Sequence, residues 1–143
     1  MKKTIALLLA AVTLLSCCGL SMMASAANEA TPYYNNTSLV SVTFSISNTG
    51  KATFNLSCSG KSGITSKIVA VSYIQRKVGL IWVRVDNGLD GKEWTDTVNG
   101  TDMTRSHSLQ LSKTGTYRVK VEFTVYGSGG SADEIVKTVT DTY

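Results

Sequence analysis

Short runs of strictly alternating apolar and polar residues constrain the fold of this chain more than any other feature. In the clearest run, residues 117–125, apolar side chains alternate with Arg118, Lys120, Glu122 and Thr124. Similar alternation covers residues 40–47, 52–59 and 108–111, and a last apolar run covers 135–140. Successive side chains of a strand point to opposite faces, so each alternating run predicts a strand with one buried face.

The middle of the chain has a different pattern. Residues 67–77 are apolar on both faces, which indicates an interior strand. Residues 80–85 form a further apolar run that ends at the turn signal of residues 86–88. The polar segment 90–106 is expected to hold short strands or an irregular connection.

Turn residues separate these runs. Residues 48–50 read Asn-Thr-Gly and predict a hairpin between the first two strands. The Gly-, Ser- and Lys-rich residues 59–66 predict a loop, and the glycine-rich residues 127–130 predict a flexible turn. No segment has a helical period, so about seven short strands predict an all-β antiparallel sandwich over residues 39–143. Residues 27–38 lack periodicity and are interpreted as an N-terminal arm.

The N-terminus has the three parts of a secretory signal. Lys2 and Lys3 precede an uncharged apolar run, which is followed by small residues that end at Ala26. We expect a signal peptide of residues 1–26 and a secreted protein that leaves no membrane segment behind. In one alternative, Cys17 is lipidated in a lipoprotein-like sequence, and in another the apolar segment stays uncleaved as an anchor.

Cleavage after Ala26 would change the charge and the cysteine count. The mature chain would have 12 basic and 10 acidic residues, because Lys2 and Lys3 are removed from the 14 basic residues of the whole chain. A net charge of +2 without a basic run argues against a nucleic-acid partner. Cys58 would be the single remaining cysteine, so no internal disulfide is expected.

Two segments carry a family resemblance. Residues 52–60, which contain Cys58, resemble strand B of an immunoglobulin-like domain, and residues 113–119 resemble its strand F. The resemblance implies a tyrosine corner, in which the Tyr117 hydroxyl bonds to backbone a few residues upstream. Val119 stands where the family has the cysteine that would face Cys58, and Tyr73 stands near the place of the strand C tryptophan.

Residues 64–143 also resemble small exported proteins of Gram-positive, clostridia-like bacteria. The shared pattern is a tryptophan-containing strand pair followed by a Gly-Thr-Tyr-Arg-Val-Lys-Val strand, here residues 115–121. That group is functionally uncharacterised, so the resemblance implies an immunoglobulin-like sandwich and no activity.

Few residues are available for catalysis or metal binding. His107 is the one histidine, and it is interpreted as a solvent-facing loop residue without a nucleophile signature around it. Too few cysteine and histidine residues remain for a zinc site, and no cofactor is expected. Glycosidase or calcium chemistry would have to use five acids that are interpreted as turn residues: Asp86, Asp90, Glu93, Asp96 and Asp102.

Aromatic residues are the remaining candidates for binding. If Ile81, Val83 and Val85 face the core, Trp82 and Arg84 face outwards together. Exposed tryptophan and tyrosine stack on sugars or anchor protein contacts. The candidates are Trp82, Arg84, Trp94 and Tyr126. In the alternative interpretation, Trp82 is a core residue in the opposite register and Trp94 plugs the end of the sandwich.

These observations predict an exported, non-enzymatic module that binds a protein outside the cell or on a cell surface. The first alternative is a carbohydrate-binding module that uses exposed tryptophan and tyrosine. The second is a small secreted hydrolase with His107 as its base. Cys58, Tyr73, Tyr117 and Val119 are assigned structural roles.

Overall fold

The computed structural model describes residues 33–143. The predicted signal peptide, the alternative lipidation at Cys17 and the first part of the predicted arm lie outside the described residues. Within residues 33–143 there is no helix long and apolar enough to cross a membrane.

Eight strands form two antiparallel sheets of three and five strands. The strands are β1 (Thr37–Ile46), β2 (Lys51–Gly60), β3 (Thr65–Val78), β4 (Ile81–Arg84), β5 (Trp94–Val98), β6 (Asp102–Gln110), β7 (Thr116–Gly127) and β8 (Asp133–Thr142). One short 3-10 turn, Asp90–Lys92, is the only helical element of the described residues. The all-β, sandwich-like prediction is confirmed, and the polar segment 90–106 contains the short strand β5 and the start of β6.

The three-stranded sheet has the order β1-β2-β6. Its first two strands form the predicted hairpin, with Phe44 opposite Phe54 and with Gly50 in the turn at a φ of +80°. Buried side chains alternate along β2 from Ala52 to Cys58, as the sequence pattern predicts. The apolar face of this sheet therefore turns towards the second sheet.

The five-stranded sheet is organised around β3. One edge of β3 pairs with β7, which pairs in turn with β8. The other edge pairs first with β5, between Ile68 and Ser72, and then with β4, between Gln75 and Val78. Since β3 has neighbours on both edges, the prediction of an interior strand at residues 67–77 is confirmed.

The core lies between the two sheets and contains the inward side chains of both. Its largest fully buried members include Phe54, Leu56, Ile68, Ile74, Met103, Tyr117, Val119, Val121, Phe123 and Val125. Burial of apolar side chains contributes about 25 cal/mol for each Å² removed from water, so this layer is the main source of stability.

Tyr117 forms the bond that the immunoglobulin resemblance implies. Its hydroxyl donates to the backbone carbonyl of Lys113, four residues upstream, while its ring is buried in the core. Burial raises the pKa of the Tyr117 hydroxyl, and the nearby Arg76 charge offsets part of that increase. The phenol therefore stays a neutral donor at the edge of the core.

Cys58 is buried, but it does not lie opposite Val119 as the resemblance implied. Asp133 accepts hydrogen bonds from Thr37, and Thr37 pairs with Gly60, which follows Cys58 by two residues on β2. Cys58 therefore lies near Asp133. Asp133 pairs with Val125, six residues along β7 from Val119. At about 3.3 Å per residue, Val119 lies about 20 Å further along the strand. The expectation of a facing pair is therefore wrong.

Three details of the connections also differ from the sequence prediction. The loop predicted at residues 59–66 spans only residues 61–64, because β2 and β3 extend into it. β1 begins at Thr37, inside the segment interpreted as an arm. Ile81 and Val83, which were expected to face the core, are 63% and 44% exposed.

The exposure of Ile81 and Val83 has a structural cause. β4 pairs with the last residues of β3, at the end of the sandwich where β6 stops at Gln110. The inner face of β4 therefore has no complete strand opposite it. The side chains alternate as predicted, but the core does not extend beneath them.

Candidate binding surface

The β3–β4 hairpin has the largest group of exposed apolar side chains along the described chain. Gly79 and Leu80 connect the two strands, and Gly79 has a φ of +60° while Leu80 does not have a positive φ. A two-residue connection with glycine first is a type II′ turn, which suits the twist of a hairpin. The turn holds Leu80 out at the tip, where it is 97% exposed.

We call the exposed apolar residues of this hairpin, Val78, Leu80, Ile81 and Val83, the hairpin surface. They are adjacent in the hairpin, since Val78 pairs directly with Ile81. Soluble domains rarely expose clustered apolar side chains, and such clusters commonly mark interaction sites. The hairpin surface is therefore a candidate for contact with a partner.

Trp82 and Arg84 lie on the outer face of the five-stranded sheet, beside the hairpin surface. Trp82 pairs with Lys77 and Arg84 pairs with Gln75. The two side chains therefore lie on the same face of the sheet, opposite to the face of Ile81 and Val83.

Cations cover the aromatic rings of this outer face. The Arg118 guanidinium lies 4.3 Å from the centre of the Trp82 ring, and its Nε donates to the Gln75 side chain at 2.8 Å. The Arg84 guanidinium lies 3.9 Å from the centre of the Tyr73 ring. Stacking of this kind holds each cation in place over an aromatic ring and stabilises the pair modestly.

Two acids balance part of this charge. Glu93 pairs with Arg84 at 2.9 Å, and Glu122 accepts from Lys120 and from the Tyr73 hydroxyl, each at 2.9 Å. The Lys120 ammonium and the Tyr73 hydroxyl lower the pKa of Glu122 below its ordinary value. The same contacts raise the pKa of Lys120, so both groups are ionised near neutral pH.

Tyr126 lies on the same outer face, towards the opposite end of β7. Its side chain is 41% exposed, and the Lys67 ammonium lies 5.4 Å from the centre of its ring. It pairs with Lys67, whereas Trp82 belongs to the far end of the sheet. Tyr126 therefore does not form one cluster with Trp82 and Arg84.

Trp94 lies elsewhere, between the two sheets. Its ring is partly buried and packs edge-on against Phe54, with ring centres 5.3 Å apart, and stacks on His107 at 5.4 Å. The structure therefore separates Trp94 from the outer-face candidates.

His107 is an inward-facing residue of β6, so its interpretation as a solvent-facing loop residue is wrong. Its Nε2 lies 2.7 Å from Asp96, and Asp96 also pairs with Arg105 at 3.4 Å. These polar groups connect the facing edges of the sheets, where β5 lies against β6. The sequence contained a signal for this placement, because Met103, His107, Leu109 and Leu111 share one phase of the alternation.

The arrangement around His107 lacks the third member of a catalytic triad. Asp96 could orient the imidazole, but in the described residues no hydroxyl or thiol is hydrogen-bonded to it. Two aromatic rings, Phe54 and Trp94, also pack against the imidazole. His107 therefore contributes to contact between the sheets.

The five acids considered for glycosidase or calcium chemistry are dispersed. Asp86 accepts from the N–H of Gly88, as expected for a turn residue, while Glu93 and Asp96 hold Arg84 and Arg105. Thr101 donates to Asp102, which lowers the pKa of that carboxyl. Across residues 33–143, no three His, Cys, Asp or Glu side chains converge in a way that could hold a metal ion.

Comparison with known proteins gives no family for this chain. No model of a protein family matches the sequence, and no curated protein is significantly similar to it.

Proposed function

We propose that this protein is an exported, non-enzymatic binding module that recognises a protein partner outside the cell through the hairpin surface. The observation that carries the proposal is the exposure of Leu80 and Ile81 beside Trp82 and Arg84. Covering apolar side chains favours association, and tryptophan and arginine are frequent energetic centres of interfaces.

The backbone of β4 supports a particular mode of binding. The N–H of Val85 donates to Ile74, so the antiparallel pattern directs the backbone groups of Val83 and Ile81 towards β3 as well. Those of Trp82 and Arg84 point away from the sheet. An extended segment of a partner can add to this free edge as a further strand.

The charge of the outer face restricts the partner. Lys77, Arg84, Arg118 and Lys120 lie on this face near β4, and two of them are paired with acids. We therefore propose a partner segment that is extended, apolar on one face and acidic on the other, because opposite charges favour encounter and register.

Export and an immunoglobulin-like fold are parts of the same proposal. The signal pattern of residues 1–26 supports secretion, with lipidation at Cys17 as the alternative. The Tyr117 corner and the two facing sheets support the immunoglobulin-like assignment. Tyr73 lies on the outer face and Val119 does not lie opposite Cys58, so the core departs from the usual pattern of that family.

Carbohydrate binding is less well supported by the outer face. Sugars stack on open aromatic rings, but Arg118 occupies one face of Trp82 and Arg84 occupies one face of Tyr73. Tyr126 is more exposed but has no second aromatic residue beside it among the ring pairs of the described chain. These contacts favour a protein partner.

Selection from a library of displayed random peptides tests the proposal. We expect the purified protein to enrich peptides with alternating apolar and acidic residues, and the double variant Leu80→Ser, Ile81→Ser to lose their binding at least tenfold. The matched control is Val136→Ser, which removes a 56% exposed apolar side chain from β8. Equal binding by the double variant would contradict the proposal, and enrichment on a glycan array would favour the carbohydrate alternative.

A further inference from the structure

An open pocket of about 370 Å³ lies beneath the β3–β4 hairpin. The inner side of the hairpin forms one wall, and the chain that leaves β6 at Gln110 forms the other. Its volume lies within the usual range of small-ligand sites.

The pocket has apolar walls over much of its lining. Val78, Val83 and Val85 contribute from the hairpin side, and Leu111 and Tyr117 contribute from the side of the core. The Tyr117 hydroxyl is already committed to the Lys113 carbonyl. These walls fit the apolar body of a ligand and offer it few neutral donors.

Arg76 gives the pocket an uncompensated positive charge. One of its terminal nitrogens donates to the Thr114 carbonyl at 3.0 Å, while its Nε is buried without a hydrogen-bond partner. The four ion pairs within residues 33–143 include neither Arg76 nor Lys113, which also lines the pocket. A partly buried guanidinium without a counter-charge is costly, and an anion would relieve that cost.

The other charged groups of the lining do not compensate Arg76 in the same way. Arg84 is paired with Glu93. Asp86 accepts from the Gly88 N–H in its own turn. Arg76 and Lys113 are therefore two unpaired cations beside apolar walls, and Asp86 is the one acid among the lining residues.

We infer that this pocket binds a small organic carboxylate with an apolar body. The carboxylate lies against Arg76 and Lys113, and the apolar part lies along Val78, Val83 and Leu111. The pocket shares Val78 and Val83 with the hairpin surface. Its unpaired cations, Arg76 and Lys113, are not part of that surface, and Leu80 and Ile81 do not line the pocket. Loss of octanoate binding and loss of peptide binding can therefore be distinguished.

Titration of the ¹⁵N-labelled protein with sodium octanoate tests the inference, at constant ionic strength and with amide shifts as the readout. We expect saturable shifts at Val83, Val85, Lys113 and Gly115, and at least about tenfold weaker binding of the uncharged analogue octanamide. Octylammonium, which has the opposite charge, should not shift these signals.

Variants locate the binding charge. Lys113→Gln, at an exposed position, should weaken octanoate binding severalfold without changing the rest of the spectrum, and Arg76→Gln should weaken it further. The matched control, Lys137→Gln on β8, should bind octanoate like the parent protein. Equal affinity for octanoate and octanamide would overturn the inference. So would an absence of saturable shifts at the pocket, or binding that is unchanged in Lys113→Gln.

Discussion

The two ends of the sandwich are built in opposite ways. We call one the Asp133 end, formed by Asn36, Gly60, Thr65, Gly127 and Asp133, and the other the hairpin end, formed by Gly50, the β3–β4 hairpin, Leu111 and Gly115. At the Asp133 end, polar groups from distant parts of the chain are buried and paired. At the hairpin end, apolar side chains are exposed and a pocket remains open.

Asp133 organises its end through four hydrogen bonds. Its carboxylate accepts from the backbone N–H groups of Asn35, Asn36 and Thr37, at 2.8 to 2.9 Å, and from the Thr37 hydroxyl at 2.8 Å. Asn36 is fully buried, and its side chain bonds to Ser131, Val125 and Gly129. These bonds fix the start of β1 against β8.

The two ends differ in which groups stabilise the fold and which groups remain free at the surface. Buried polar groups that are fully paired specify one arrangement, because an unpaired group there is costly. Exposed apolar groups contribute little to folding and are available for binding. The Asp133 end therefore has a structural role, and the hairpin end is the region that we propose for contact with a partner.

The largest expected difference between the two ends is in thiol reactivity. Burial, together with the charges of Asp102 and Asp133, raises the pKa of the Cys58 thiol to about 11. We expect iodoacetamide to label native Cys58 at least about a hundredfold more slowly than a thiol introduced by Ile81→Cys at the hairpin end. Mass spectrometry of timed samples measures both rates, and rapid native labelling of Cys58 would contradict its buried placement.

The next largest effect is on the free energy of unfolding. Asp133→Ala should lower it by about 3–5 kcal/mol, since each buried donor left without a partner costs about 1–3 kcal/mol. The control Asp90→Ala, at an exposed carboxylate, should change it by less than about 0.5 kcal/mol. Urea denaturation measures the free energy of unfolding of both variants, and similar values would contradict the structural role of Asp133.

Close packing at the Asp133 end predicts a smaller loss for Gly127→Ala. An added Cβ would lie 2.5 Å from the Ile64 carbonyl oxygen and 2.6 Å from the Asn36 side-chain oxygen. We expect destabilisation by about 1–3 kcal/mol in urea denaturation. In Gly100→Ala the Cβ would meet only Val98 at 3.6 Å, so that control should stay within about 0.5 kcal/mol of the parent.

Protonation of Asp133 at low pH should lower the free energy of unfolding by less than the substitution Asp133→Ala does. Burial alone would raise the pKa of Asp133, but hydrogen bonds from Asn36, Thr37 and Asn35 together lower it below 3.8. A lowered folded-state pKa means that the stabilisation is fully present above about pH 5 and is lost as the pH falls through that folded-state pKa. The urea concentration at the midpoint of unfolding should therefore decrease as the pH is lowered below about 5. This decrease should be less steep in Asp133→Asn. Equal slopes would contradict this assignment.

The smallest expected effect on stability is at the hairpin end. Leu80→Ser should change the free energy of unfolding by less than about 0.5 kcal/mol, because the side chain is 97% exposed. Leu56→Ala in the core should cost about 2–5 kcal/mol. A large loss in Leu80→Ser would mean that the hairpin tip packs against the domain and is not a free surface.

The strands were largely predictable because alternation is a local property of the sequence. Residues 52–58 and 117–125 each carry a complete one-sided pattern, and the structure places them in β2 and β7. The turn at residues 48–50 follows from Asn-Thr-Gly, and the outward placement of Trp82 and Arg84 follows from the phase of β4.

Contacts between distant residues were not predictable in the same way. Asp133 bonds to residues about 97 positions earlier, as in its bond to Asn36, and nothing in the local pattern indicates that pairing. The glycines of residues 127–130 suggested a flexible turn, whereas Gly127 and Gly129 allow close contact with Asn36, Ile64 and Asn35. The exposure of Ile81 depends on where β6 ends, which is a property of the opposite sheet.

Hydrogen exchange of single amides tests the contrast between the two ends most directly. The N–H groups of Asn36 and Thr37 are buried and bonded to Asp133, so they should exchange slowly, near the limit set by global unfolding. The N–H groups of Trp82 and Arg84 lie on the free edge of β4 and should exchange orders of magnitude faster. Equal protection of the two pairs of amides would contradict the account of a closed Asp133 end and an open hairpin end.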